Sequence, residues 1–199
     1  MARDEEMARL GDIMLTGSTG QKCRKICVLH GLGGIGKTQL AIEFARKYRQ
    51  KHSAVFWIDG SSKEKLKQSI ANLANQLPHH QLLERAKLYA QQPHEELDGA
   101  VEDVLSRFSQ SLNEQWLLIY GNVDREISAE ISDPEAFNLK EYFPEADQGC
   151  ILITSRLTNL WHFGGANIRL EPVSELQGED ILKNRVGEPV RGESVYYRT

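Results

Sequence analysis

The sequence predicts an α/β fold: a doubly wound, parallel, five-stranded sheet in three αβα layers. Two observations predict it. Short apolar runs recur from residue 25 onward: KICVLH (25–30), AVFWID (54–59), WLLIY (116–120), CILIT (150–154) and the weaker NIRLE (167–171). Segments with apolar residues at three- and four-residue spacing lie between them, as helices require. A strand that is apolar throughout needs cover on both faces, and alternating helices supply it in a parallel sheet.

The elements follow in order. Residues 4–15 read as an amphipathic helix with Met7, Leu10, Ile13 and Met14 on one side. The 25–30 strand runs straight into glycines, the usual end of a buried parallel strand. Helical periodicity covers Lys37 to about Lys51, with Leu40, Ile42, Phe44, Ala45 and Tyr48 as its apolar positions. After the 54–59 strand, Ser61 and Glu64 have the spacing of a capping box. The helix they would open carries Leu66, Ile70, Leu73 and Leu77, and Pro78 ends it. Residues 79–93 are polar and read as partly loop. A helix near 94–112 carries Leu97, Val101, Val104, Leu105 and Phe108. Beyond the 116–120 strand come a loop, a short helix after Pro134, the last two strands and a helix at about 174–184. The chain divides into an N-terminal helix and linker (1–24), a core domain (25–184) and a polar tail (185–199).

Composition narrows the function classes. The 199 residues are 40% hydrophobic and 26% charged, within the range of an ordinary globular domain. A net charge of −4 disfavours a general nucleic-acid binder, so no nucleic acid is expected. No window reaches the roughly 18 apolar residues of a membrane span, and the N-terminus MARDEEMARL is acidic where a secretory signal is basic. A cytoplasmic location is the expectation, and the three cysteines, Cys23, Cys27 and Cys150, read as reduced thiols.

The chemistry centres on Gly31-Leu32-Gly33-Gly34-Ile35-Gly36-Lys37-Thr38, which fits G-x-x-x-x-G-K-[ST]. Glycines let the backbone turn tightly and aim successive N–H groups at phosphate oxygens. A helix that starts at Lys37 points its positive end at the same place. The Lys37 ammonium is expected on the β- and γ-phosphates and the Thr38 hydroxyl on Mg²⁺. The motif also has its context, a preceding apolar strand and a following amphipathic helix. The fold is therefore expected to be that of a P-loop NTPase, with ATP or ADP and Mg²⁺ as its cofactors.

A hydrolase of this class needs a carboxylate at the end of a neighbouring strand. After WLLIY that position is Gly121, followed by Asn122, Val123 and Asp124. Asp124 is a candidate for orienting water or reaching the metal through solvent; capping the loop is the alternative. Hydrolysis is expected to be impaired, and Gly121→Asp to raise it. CILITSR ends the next strand with Arg156, a candidate to sense the γ-phosphate or stabilise transition-state charge.

Four blocks together, VLHGLGGIGKTQLAIEFARKYR, AVFWIDGSS, WLLIYGNVD and GCILITSR, resemble the NB-ARC-type nucleotide-binding domain of STAND NTPases. These are the NLR-like signalling ATPases of plant resistance proteins, animal apoptosis regulators and fungal incompatibility-type receptors, and the similarity is greatest to fungal members. It runs from about residue 3 to residue 184. The resemblance implies that Arg3 lies near the nucleotide ahead of the first helix and that Arg156 is the sensor arginine. It also implies that the 150–154 strand lies between the P-loop strand and the 116–120 strand. The nucleotide contacts it implies are Arg3, Gly31, Gly33, Gly34, Ile35, Gly36, Lys37, Thr38 and Gln39. The chain departs from the family at Gly121, where a Walker B aspartate is usual. It also stops before the Gly-Leu-Pro helical block and the winged-helix His-Asp motif, and so reads as an excised domain or a truncated gene product. The function expected is an ATP/ADP-binding switch domain of a signalling NTPase, with self-association in a full-length parent. The alternatives are another active P-loop ATPase or kinase, and an inert fragment.

Overall fold

A computed structural model describes residues 3–15, 23–77, 83–91, 97–110, 115–127, 133–163 and 165–172. Its order is α1 (Asp4–Leu15), β1 (Lys25–His30), α2 (Lys37–Lys47), β2 (Ala54–Asp59), α3 (Lys63–Asn72), α4 (Glu84–Gln91), α5 (Leu97–Phe108), β3 (Trp116–Gly121), β4 (Cys150–Ser155) and β5 (Ala166–Arg169). The expected helix at 174–184 and the tail from 185 lie outside the described residues.

The five strands form one parallel sheet in the order β2-β3-β4-β1-β5. Strand β4 therefore separates β1 from β3, as the resemblance implied. The alternation of side chains divides the apolar residues between two faces. Ile26, Val28, Phe56, Ile58, Leu118, Tyr120, Ile151 and Ile153 face α3, α4 and α5. Cys27, Leu29, Leu117, Ile119 and Leu152 face α1 and α2, which add Met7, Leu10, Met14, Leu40 and Phe44. Strand β3 is buried from end to end, which is why its run is apolar without alternation. Burial pushes the Cys27 thiol up to about 12, so it behaves as a small apolar residue.

Three local readings are corrected or refined. The cap of α3 is Ser62, whose hydroxyl accepts from the Lys65 N–H at 3.3 Å. The Ser61 hydroxyl is buried without a hydrogen bond, so the Ser61/Glu64 capping box does not form. Helix α4 lies inside the stretch read as partly loop. It is held by α5: Asp103, 3% exposed, accepts from Arg85 Nε and Nη2 at 3.1 and 2.8 Å and from the Ala86 N–H at 3.1 Å. Ala86 and Tyr89 complete its buried side. The expected short helix after Pro134 is a turn followed by a 3-10 helix at Leu139–Tyr142.

Candidate functional site

A cavity of about 940 Å³ opens where the carboxyl ends of β2, β3 and β4 face the glycine loop. Open α/β sheets bind ligands in this position. Nine predicted residues line it: Gly33, Gly34, Ile35, Gly36, Lys37, Thr38, Gln39, Asp124 and Arg156. Asp59, Ser61, Lys65, Asn122, Arg125 and Asp133 also line it, and none of them had been a candidate site residue.

The loop is shaped by its glycines. Gly34 and Gly36 sit at φ 75° and 98°, in the left-handed region that side chains disfavour. Gly36 is the N-cap of α2 and no side chain caps the helix, whose first turn also carries no acid. The first N–H groups of α2 are thus left for a ligand, with the helix dipole behind them. Lys37 Nζ donates to the carbonyls of Gly31 and Leu32 at 2.8 and 2.9 Å, which holds the ammonium over the loop. Burial lowers its pKa, while the nearby Asp124 raises it and Arg156 lowers it.

Gly31 and Arg3 support the loop from beside the cavity and do not line it. A Cβ on Gly31 would stand 2.7 Å from the Leu170 carbonyl oxygen, so the loop lies hard against the chain after β5. Arg3 donates to the carbonyl of Ile35 at 2.8 Å and to that of Glu171 at 2.9 Å, and pairs with Glu6 at 2.7 Å. It ties α1, the loop and the end of β5 together, next to Gly36.

At the far wall, β3 hands over to β4. Asn122, at φ 60°, donates its N–H to Thr154 Oγ1, and Val123 N–H donates to the Thr154 carbonyl. This turn delivers Asp124 to Arg156: Asp124 Oδ1 accepts from the Arg156 N–H at 2.6 Å and Oδ2 from Nε at 2.5 Å. Ser155 Oγ donates to the Val123 carbonyl and lies 3.3 Å from Asp124 Oδ1. The Arg156 stem passes the loop, with Cδ 3.8 Å from where a Gly33 Cβ would be. Asp124 and Arg156 are therefore one paired unit beside the glycine loop.

Gly121 is more than a missing carboxylate. A Cβ there would meet the Trp57 ring at 2.7 Å from Cζ2 and 2.9 Å from Cε2 and Nε1. The indole fills the space that a residue-121 side chain needs. Gly121→Asp would set its Cβ against the Trp57 ring, so the substitution carries a steric cost that the sequence alone does not reveal. Among the described residues no group of three or more His, Cys, Asp or Glu is disposed to hold a metal by itself. The Thr38 hydroxyl and the carboxylates at the rim are hard oxygen donors, which suit a Mg²⁺ that arrives with phosphates and keeps its waters.

No protein-family model matches the chain. A nucleotide-binding leucine-rich repeat (NLR)-like protein of Hyaloscypha variabilis is 23% identical over 96% of this chain, which spans 19% of that protein's length. Among solved structures, Cdc6p from Pyrobaculum aerophilum superposes with a TM-score of 0.59 at 14% identity, over 93% of this chain and 49% of its own. A STAND protein with a tetratricopeptide repeat sensor from Pyrococcus horikoshii gives 0.52 at 14% identity, over 92% and 25%. The ORC2 protein of Aeropyrum pernix, solved in ADPNP-ADP complexes, gives 0.51 at 16% identity, over 92% and 50%. Among the described residues, no helix is long and apolar enough to cross a membrane. The chain thus has the P-loop NTPase fold, and its motif-level resemblance to NLR-like STAND proteins holds over nearly its whole length.

Proposed function

We propose that this chain is the ATP/ADP-binding switch domain of an NLR-like signalling NTPase, with hydrolysis slow or absent. One observation carries the reading. The uncapped start of α2, the Gly34–Gly36 turn and Lys37 converge on one cavity, while at the end of β3 position 121 has no side chain and is covered by the Trp57 indole. The names and folds of the similar proteins support it.

The geometry supports a role for each residue. Backbone N–H groups of residues 33–38 cradle the phosphates. Lys37 exchanges its loop carbonyls for β- and γ-phosphate oxygens and keeps its charge close to them. Thr38 holds Mg²⁺, which when bound neutralises phosphate charge. Gln39 completes the wall at the first turn of α2. Arg156, pivoting on its Asp124 partner beside Gly33, faces the outer phosphate, so ATP and ADP differ in what they offer it. Such a difference is what a switch needs, because a ligand shifts a conformational equilibrium only by its differential affinity for the two states. A cytoplasmic setting and self-association of the longer protein belong to the same proposal.

The test is direct. The purified protein is denatured and any released nucleotide identified by chromatography. Stoichiometric ADP supports a pocket that holds the resting ligand of a switch. No nucleotide, together with no thermal shift on adding ADP or ATP with Mg²⁺, sinks this reading in favour of an inert domain. Turnover faster than about 1 s⁻¹, an ordinary enzyme rate, favours a working ATPase or kinase instead.

A further inference from the structure

Strands β2 and β3 run parallel with Asp59 beside Gly121 and Trp57 beside Ile119. Side chains alternate, so Trp57, Asp59, Ile119 and position 121 all point to the face that α1 and α2 cover. On this face the 121 position is closed by the Trp57 ring. One step further along β2, Asp59 emerges into the same cavity as Lys37 and Thr38.

The three aspartates at the rim are not equivalent. Asp124 has both oxygens engaged, Oδ1 by the Arg156 N–H and Oδ2 by Arg156 Nε. Asp133 stands in the loop beyond β3, its Oδ1 accepting from the Glu135 N–H at 2.9 Å. Asp59 is set by a strand end and by one contact, the Ser61 N–H donating to Oδ1 at 3.0 Å. Among the described residues nothing engages its Oδ2. Its backbone N–H donates to Ser69 Oγ at 3.2 Å, which fixes the strand end to α3.

Resting on the nucleotide reading above, we propose that Asp59 of β2 replaces the absent β3 carboxylate and faces the hydrated Mg²⁺ of the bound nucleotide through water. Neighbouring strands lie about 4.8 Å apart. One Mg²⁺–water bond of about 2.1 Å and one hydrogen bond of about 2.7 Å span a similar length. Interposing one water lengthens a direct contact by only that hydrogen bond, about 2.7 Å, so a carboxylate displaced outward by one strand reaches the ion through its shell of waters, which Mg²⁺ retains readily.

The experiment measures the dissociation constant of a fluorescent ADP analogue in excess Mg²⁺ and in excess EDTA, for the parent, Asp59→Asn, Asp133→Asn and Lys37→Ala. Asparagine keeps the Oδ1 acceptor for Ser61, and a melting curve checks that each variant folds. The expected result is that Asp59→Asn loses about tenfold or more of the affinity gained from Mg²⁺, the worth of one charge-assisted hydrogen bond, while Asp133→Asn retains the gain. An unchanged gain in Asp59→Asn, loss of it in Asp133→Asn instead, or no gain in the parent overturns the assignment of Asp59. Parent binding that Lys37→Ala leaves intact, or no binding at all, overturns the nucleotide reading and this inference with it.

Discussion

On the β1 side of the cavity the loop from Gly31 to Thr38 has the G-x-x-x-x-G-K-[ST] pattern, and it is braced from behind by Arg3 and the chain after β5. On the β3 side, Gly121 has no side chain, an indole covers it, and the nearest aspartate in sequence is locked to an arginine. The first wall depends on backbone N–H groups and one lysine within a single local motif. The second depends on side chains brought together from β2, β3 and β4. In the proposed reading, a site divided this way holds a nucleotide better than it cleaves one. Binding needs the first wall, whereas hydrolysis needs both.

Four measurements break or sharpen that contrast, and Lys37→Ala has the largest expected effect. It removes a charge held over the loop and should weaken nucleotide binding by about 2–5 kcal/mol, roughly thirtyfold or more in dissociation constant. Unchanged affinity in an equilibrium titration would dissolve the distinction between the two walls.

Next comes Gly121→Asp. Its Cβ enters the Trp57 ring, so the variant should lose about 1–3 kcal/mol and melt roughly 2–4 °C lower per kcal/mol. It should hydrolyse ATP no faster than the parent. Trp57→Ala in the same chain should recover part of the stability by removing the clash. A single variant that melts normally and hydrolyses faster would mean the indole is not a barrier, and the second wall is repairable by one residue.

A smaller effect is expected at the start of α3, which frames the outer rim. Ser62→Ala should cost about 1 kcal/mol as a lost helix cap, read from chemical denaturation. Ser61→Ala should not show a cap loss, because its hydroxyl has no partner to lose. Equal losses would contradict the assignment of the cap to Ser62.

The smallest expected effect is a pH dependence of the β1 half. His52 is 7% exposed and packs 6.4 Å from the Phe44 ring, and burial lowers its pKa from the ordinary 6.5. His30, at the end of β1, is lowered too, first by burial and then by Arg169. Both are favoured neutral in the fold, so the unfolded chain binds more protons in mild acid. Their stability contribution is present above pH 6.5 and declines as pH falls below it. The melting temperature should drop between about pH 7.5 and 5.5, and less steeply in His52→Gln. A flat profile in the parent would remove the histidines from the account.

Legibility followed the range of the interactions. The strands could be read because each is a contiguous apolar run, and β3 is buried along its full length. The glycine loop could be read because its geometry needs glycines at fixed spacing within eight residues. Helix α4 was obscured because its local sequence is polar and its order comes from Asp103, on a different helix. The α3 cap was misassigned by one residue because two serines stand side by side, and only the turn after β2 decides which hydroxyl meets the Lys65 N–H.

By itself the sequence determined the fold class, the order of the strands and the place of the glycine loop. These rest on periodicity and on short-range backbone demands written in adjacent residues. Only the tertiary structure decided what stands opposite that loop. The closure of position 121 by Trp57, the pairing of Asp124 with Arg156 and the arrival of Asp59 at the rim all join separate strands. The parallel register that brings them together is set by the packing of the whole sheet, which no local pattern encodes.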